Sequence, residues 1–304
     1  MVVASQAWLV CLAAAAVTAA AAVAGGFLAR GSTAVPAAVW AAVAAAAFGL
    51  EAAWRAGGGL RDPATADCCR LAVAALAVCP ILSVLGGKRP QHGVWQFIVA
   101  TLAGVVALPA ASALLVRPGS AADVHPLQRW LMLVIVLVAG MNYAATRHAA
   151  AAGLVVVGQV ILLRRWLPFG AAVPPAPWLD AAAACVVATG AVVAAVQSFA
   201  WPARRRAAGL RERRGADDPA AVLGDSFLAL RETLGAAWSL RIVERFNTVA
   251  AERGWPCRLG FDGFHEGDAE TDPAWRRDAA RTGRALLRRF VTTDWLRRHA
   301  ADGR

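Results

Sequence analysis

The chain has 304 residues, of which 59% are hydrophobic and only 17% are charged. Soluble domains average about 25% charged and 45–50% apolar residues, so this composition excludes an ordinary soluble domain over the whole length. The net charge of +11 is spread along the chain and forms no compact basic surface with interleaved aromatic residues. A nucleic-acid partner is therefore not expected.

The charged residues divide the chain into two parts. Residues 1–201 contain five acidic and eleven basic residues, whereas residues 202–304 contain fifteen and twenty. Such a split indicates a membrane-embedded part followed by a water-soluble part. We therefore expect an all-α membrane protein, with a transmembrane helical bundle over residues 1–201 and a small, mainly helical soluble domain over residues 202–304.

Seven segments of the first part are candidates for membrane-spanning helices, which need roughly 20 mainly apolar residues. The sixth is short and follows the fifth after only three residues. It either completes a tight helical hairpin or enters the bilayer without crossing it, so seven spans is the prediction and six the alternative. The predicted segments are Ala7–Leu28, Ala34–Trp54, Cys69–Leu85, Val94–Val116, Leu127–Ala145, Ala149–Leu163 and Trp178–Trp201.

The basic residues predict an orientation. With seven spans, ten basic residues flank the spans on the side of the C-terminal domain and seven lie on the other side, which favours a cytoplasmic C-terminal domain in a cell membrane. The abundance of alanine and arginine is typical of a GC-rich bacterial genome. The ten are Arg30, Lys88, Arg89, Arg147, Arg204, Arg205, Arg206, Arg211, Arg213 and Arg214.

The second part begins with a helix signal. Asp218–Pro219 is typical of an N-cap followed by proline at the first helical position. Over residues 223–249 apolar residues recur every three or four positions. That spacing predicts one long amphipathic helix ending near Gly254.

Shorter elements follow. Alternating side chains over residues 257–261 predict one short strand. Asp272–Pro273 repeats the N-cap signal, and a last short helix is expected after Asp294. The acidic residues between the strand and the second cap lack EF-hand or H-E-x-x-H spacing, so they predict a solvated loop and no metal site.

Polar residues inside the predicted spans are the first candidates for function. Glu51 is the only acidic residue well inside a span, and Arg55 follows it by four residues. An i,i+4 ion pair at the membrane interface is the favoured interpretation, with a proton or cation site as the alternative. Asn142, Tyr143 and Gln159 are expected to hydrogen-bond between helices or to line a substrate path. The bundle is otherwise expected to be nearly free of buried charge.

Two basic clusters are candidates for binding anions or lipid headgroups, at about 1 kcal/mol per residue near an anionic surface. Both patterns are also typical of ordinary cytoplasmic loops and of charges that follow a last span. The clusters are Lys88, Arg89 and His92, between the third and fourth spans, and Arg204, Arg205 and Arg206, after the last span.

Enzyme and cofactor motifs are missing from the sequence. The chain has no G-x-S-x-G elbow, P-loop or G-x-G-x-x-G. No histidine is central in a predicted span, as haem ligation would require, and the sole lysine, Lys88, lies in a loop and cannot hold retinal. No cofactor is expected, and a non-enzymatic role is favoured.

Three functional hypotheses remain. The first is a scaffold or accessory subunit whose C-terminal domain contacts a protein partner, because residues 202–304 carry more aromatic residues than a small core needs and aromatic residues dominate binding hot spots. The second is a transporter or permease with the polar residues of the spans along a path. The third is an intramembrane enzyme that acts on a lipid-linked substrate, with the Lys88 cluster at the interface.

Overall fold

A computed structural model describes residues 2–170, 176–207, 219–267 and 274–300. Within these ranges, seven helices are long and apolar enough to cross a membrane, which confirms the seven-helix prediction by length and composition. The sixth gains length from a 3-10 turn at Arg164–Trp166 and runs over Ala149–Trp166, 18 residues. The bundle helices are α1 (Val2–Leu28), α2 (Val35–Ala56), α3 (Pro63–Ala77), α4 (Cys79–Leu85), α5 (His92–Leu115), α6 (Pro126–Ala144), α7 (Ala149–Leu163) and α8 (Pro177–Ala207).

The third apolar segment differs from its predicted form. It begins at Pro63 instead of Cys69, because the Asp62 carboxylate accepts a hydrogen bond from the Thr65 amide and caps the helix. The Asp62 carboxylate also accepts from the Thr65 hydroxyl, and the two hydrogen bonds hold the pKa of Asp62 below its usual value. The segment is also interrupted at Val78, between α3 and α4, where Pro80 has no N–H to continue the helix.

The bundle helices close into a ring. α1 packs along α2 and α8, α2 packs on α3 and α4, α4 contacts α6, α6 packs on α7, and α7 packs on α8. α5 lies outside this ring, against α3 and α4. Small residues permit the close approach of α7 and α8, since a β-carbon on Gly158 would lie 2.8 Å from the Ala183 carbonyl oxygen.

The C-terminal region, residues 219–300 in its described parts, contains four helices and a β-hairpin. The single long helix predicted over residues 223–249 is wrong: Gly235, with φ +80°, separates two helices. The predicted strand is also paired, because β1 forms an antiparallel hairpin with β2. The elements are α9 (Pro219–Leu234), α10 (Ala236–Glu252), β1 (Cys257–Gly260), β2 (Gly263–Glu266), α11 (Ala274–Leu287) and α12 (Thr293–Ala300).

Most of the aromatic residues of the C-terminal region lie in its core. Phe227, Phe246 and Trp295 are fully buried, and Trp238 packs against Phe290 with ring centroids 4.8 Å apart. Trp255, Phe261 and Trp275 are only partly buried, so the expected surplus of aromatic surface is reduced to these three residues. The protein partner that this surface suggested stays a prediction.

Candidate functional site

The ring of helices lines a half-open chamber of about 610 Å³. Its walls come from α1, α2, α3, α4, α6, α7 and α8, and most of the lining side chains are alanine or valine. Alanine leaves this space because its side chain is too short to fill the middle of a six-helix ring. Binding sites for small molecules occupy roughly 300–1,000 Å³, so the chamber has the size of a ligand site.

Polar residues along the walls are mostly satisfied by helix backbone. The Thr18 hydroxyl donates to the Ala14 carbonyl and the Ser198 hydroxyl to the Ala194 carbonyl, each at 2.8 Å. Gln159, one of the predicted path residues, lines the chamber and donates to the Ala77 carbonyl at 3.4 Å, beside the break between α3 and α4. The middle of the chamber is therefore apolar, and polar chemistry is left to its two ends.

One end of the chamber is bounded by a buried charge cluster, which consists of Glu51, Arg55, Arg70, Arg164 and Asp180. Arg70 Nε donates to both carboxylate oxygens of Glu51, at 2.8 and 2.6 Å, and Arg55 Nε donates to Glu51 Oε1 at 2.7 Å. Arg164 Nη1 donates to Asp180 Oδ1 at 2.5 Å, and Arg70 Nη1 lies 3.5 Å from Asp180 Oδ2. The cluster thus joins α2, α3, α8 and the turn after α7.

The charge cluster corrects two predictions. Glu51 does pair with Arg55, but its side chain is only 2% exposed and its closest partner is Arg70, so the pair does not lie at an open interface. The bundle is also not nearly free of buried charge, since Glu51, Arg70, Arg164 and Asp180 are all buried. Buried charges are tolerated only when they are paired and hydrogen-bonded, and this cluster meets that requirement in part.

The pairing within the charge cluster is incomplete. Three guanidinium groups face two carboxylates, which leaves one positive charge in excess. Arg70 Nη2 and Arg164 Nε are buried and have no hydrogen-bond partner among the residues that the structure describes. Arg70 also lines the chamber, and its guanidinium lies over the Phe48 ring at 4.9 Å.

The sequence contained a signal for Arg70 that the prediction did not use. Asp62–Pro63 has the same pattern of N-cap and proline as Asp218–Pro219. A helix started there places Arg70 two turns inside the apolar segment instead of at its edge. No comparable signal pairs Asp180 with Arg70, because 110 residues separate them.

At the opposite end, which we call the docking end, the C-terminal region closes the chamber. The Arg147 amide donates to Glu232 Oε2 at 2.9 Å, and the Tyr143 hydroxyl donates to the Thr233 carbonyl at 3.3 Å. Tyr143, Arg147, Glu232 and Thr233 all line the chamber. Because Glu232 and Thr233 belong to α9, this helix forms part of the chamber wall.

His148 also lines the chamber at the docking end. Its Nδ1 lies 3.1 Å from Gln197 Oε1, and the residue is buried. Burial lowers the pKa of His148, and the positive charge of Arg147 lowers it further, against an opposing effect of Glu232 and Gln197. The imidazole is therefore held in its neutral form where the C-terminal region meets the bundle.

Asn142 attaches the junction between α9 and α10 to α6. Its Nδ2 donates to the Leu234 carbonyl at 3.0 Å, and its Oδ1 accepts from the Ala237 amide at 3.0 Å. Gly235 lies directly over this side chain, and a β-carbon there would overlap the Asn142 amide. Asn142 was expected to hydrogen-bond between helices or to line a substrate path, and the structure shows its side chain bonded to the C-terminal region.

The Lys88 loop contacts the C-terminal region as well. Lys88 Nζ lies 5.2 Å from the centre of the Trp238 ring, and the Arg89 amide donates to the Arg289 carbonyl at 2.9 Å. Arg89 Nη1 donates to the Val291 carbonyl at 3.2 Å. A headgroup role for this loop stays a prediction; the side chains of His92, Arg204, Arg205 and Arg206 lie outside the described part of the structure.

No protein family model, no curated protein and no solved structure matches this chain. The function is therefore proposed from the geometry of the chamber and its two ends.

Proposed function

We propose that the protein is a multi-pass membrane protein that binds an amphiphilic molecule in the chamber and belongs to the carrier or permease class. The observation that carries this proposal is the closed ring of helices around a chamber of about 610 Å³. An apolar middle with polar groups at its ends complements a molecule that has an apolar chain and a polar head. Intramembrane charges beside a cavity are functional candidates by default, since they are expensive to hold in a bilayer.

The contacts at the docking end support the proposed orientation. The connections that carry Arg30, Arg89 and Arg147 all bond to the C-terminal region, so these basic residues share one end of the bundle with it. The excess of basic residues at that end favours the cytoplasmic side of a cell membrane under the positive-inside rule. We propose that the C-terminal region faces the cytoplasm.

The chamber favours the transporter hypothesis over the other two. Part of the aromatic surface that motivated the scaffold hypothesis is used in the core of the C-terminal region, where Trp238, Phe246 and Phe264 are buried. Lys88 and Arg89, which motivated the hypothesis of a lipid-linked substrate, contact that same region. Both hypotheses stay predictions, and the carrier hypothesis is favoured because it gives the open centre of the ring a use.

Two alanine substitutions in α2 test the proposal. Ala41 lines the chamber, whereas Ala46 is exposed and is not among the lining residues. The full chain in mild detergent is mixed with dodecanol, and the bound molecules are counted by native mass spectrometry. We expect one bound chain in the wild type and in Ala46→Phe, and loss of it in Ala41→Phe because phenylalanine fills the chamber.

Two results would contradict the proposal. If Ala41→Phe retains dodecanol as well as the wild type does, the molecule binds outside the chamber. If the wild type retains no chain, the chamber does not hold amphiphiles of this kind.

A further inference from the structure

We infer that the charge cluster binds the head of an anionic amphiphile, a single carboxylate or phosphate on an apolar chain. This inference rests on the proposed function, because it assigns the chemical class of the molecule that the chamber holds. Arg70 is the residue that would contact the headgroup, and the chain would extend along the alanine-lined walls towards the docking end.

The excess of positive charge is the first argument. Each carboxylate of the cluster is already shared: Glu51 accepts from Arg55 and Arg70, and Asp180 from Arg164 and Arg70. The neighbouring Asp67 pairs with Arg165 and adds no net charge. One guanidinium charge therefore stays unmatched in an apolar setting, and an anion would neutralise it.

The second argument is an unsatisfied donor at the right place. The Arg70 side chain is only 8% exposed, and its Nη2 has no hydrogen-bond partner in the described residues. Buried polar groups without partners are uncommon, and one explanation is a missing ligand. Because Arg70 also lines the chamber, its Nη2 is a donor for an oxygen of a carboxylate or phosphate bound there.

The third argument is that Arg70 is held firmly by its surroundings. Its guanidinium lies over the Phe48 ring at 4.9 Å and over the Trp8 ring at 5.5 Å, and Glu51 binds its Nε. At the docking end, by contrast, the basic residue Arg147 already has a carboxylate partner in Glu232 at 3.8 Å. Arg147 is therefore engaged in attaching the C-terminal region, whereas Arg70 has an unsatisfied nitrogen inside the bundle, and the headgroup is expected at Arg70.

The test compares three probes that share a twelve-carbon chain: laurate, dodecyl phosphate and dodecanol. The test variant is the double substitution Glu51→Gln with Arg70→Gln, which removes one acid and one base and keeps the net charge. The matched control is Asp67→Asn with Arg165→Gln, which removes an ion pair at the same end that does not line the chamber. Binding to the full chain in detergent is titrated for each combination.

We expect laurate and dodecyl phosphate to lose at least about tenfold in affinity in the test variant, as deletion of a charged hydrogen bond does. Their affinity should be unchanged in the control variant, and dodecanol should bind all three proteins alike. Acetate and inorganic phosphate, which have no chain, should not displace laurate at equal concentration; displacement would show a site for free anions and overturn the inference.

The outcomes separate the two proposals. If dodecanol binds as tightly as laurate and the test variant weakens neither, the headgroup assignment fails while the chamber proposal stands. If no twelve-carbon probe binds, both fail. If the test variant unfolds at a much lower temperature than the wild type, Arg70→Lys replaces it. Lysine keeps the charge but loses the forked donors, so the affinity for laurate should fall several-fold and the affinity for dodecanol should not change. Equal laurate affinities in Arg70→Lys and the wild type would overturn the inference.

Discussion

The two ends of the chamber both bury charge, but they use it differently. At the docking end, Glu232 joins the bundle to the C-terminal region through Arg147 and also pairs with Arg231. At the charge-cluster end, three guanidinium groups share two carboxylates and two nitrogens lack partners. The charge cluster involves residues of the bundle alone, so a ligand is to be sought at that end, where its binding would leave the attachment of the C-terminal region intact.

The largest expected effect is at the charge cluster. Arg70→Met removes the hydrogen bonds from Arg70 to Glu51 and Asp180, while Arg55 and Arg164 keep one pairing each, so the free energy of unfolding should fall by about 1.5–3 kcal/mol. The comparison is Arg165→Met, whose ion pair with Asp67 is partly exposed and should contribute no more than about 1 kcal/mol. Thermal unfolding of both variants in the same detergent measures the difference; equal losses would show that the cluster is not buried.

A smaller effect is expected at the docking end. Gly235→Ala should release the C-terminal region, because the new β-carbon overlaps Asn142 at a φ of +80°. Gly254→Ala is the matched control, since it has a φ of +64° and nothing within 4 Å. Gly254→Ala should lower the free energy of unfolding only by the backbone strain, about 1–2 kcal/mol. Limited proteolysis should cut the first variant sooner than the second, and equal rates would mean that the Asn142 contact does not hold the region.

Removal of the Asn142 side chain tests the same contact from the side of the bundle. Asn142→Ala removes two hydrogen bonds and leaves the Leu234 carbonyl and the Ala237 amide without their partner. We expect the free energy of unfolding to fall by about 1–3 kcal/mol. The measurement is hydrogen exchange at the junction of α9 and α10, with Gln128→Ala as a comparison on the same helix that should leave this exchange unchanged.

The smallest expected effect is a dependence of the free energy of unfolding on pH, caused by His148 at the docking end. Because the pKa of His148 is lowered below its usual 6.5 in the folded state, the unfolded state binds more protons between the two values. The stabilisation that neutral His148 provides is therefore fully present above pH 6.5 and is lost as the pH falls through the folded-state pKa. Unfolding of the wild type and of His148→Gln at pH 8 and pH 5 checks this; a pH dependence that is no smaller in the variant would assign it to other groups.

Long apolar runs made the seven helices predictable, since their length alone decides whether they can cross a bilayer. The break at Gly235 was not predicted, because the apolar spacing continues from Leu234 to Trp238 across it. Periodicity reports which side chains are buried, whereas a change of chain direction depends on a single φ angle. The β2 strand was missed for a related reason, since its four residues show no alternation of apolar and polar side chains.

The site was predicted only in part. Glu51 and Arg55 were found because they lie four residues apart on one helix. Their contact with Arg70, and that of Arg70 with Asp180, depend on which helices are neighbours in the ring. A sequence read one segment at a time does not contain that information, so the charge cluster becomes visible only in three dimensions.

The closure of the chamber by α9 has a kinetic consequence. A molecule that leaves through the docking end has to displace α9. The C-terminal region that contains α9 is hydrogen-bonded to three separate connections of the bundle, through Thr33, Arg89 and Arg147. Exchange there would require all of these bonds to break together, so its activation barrier would scale with the strength of the whole attachment.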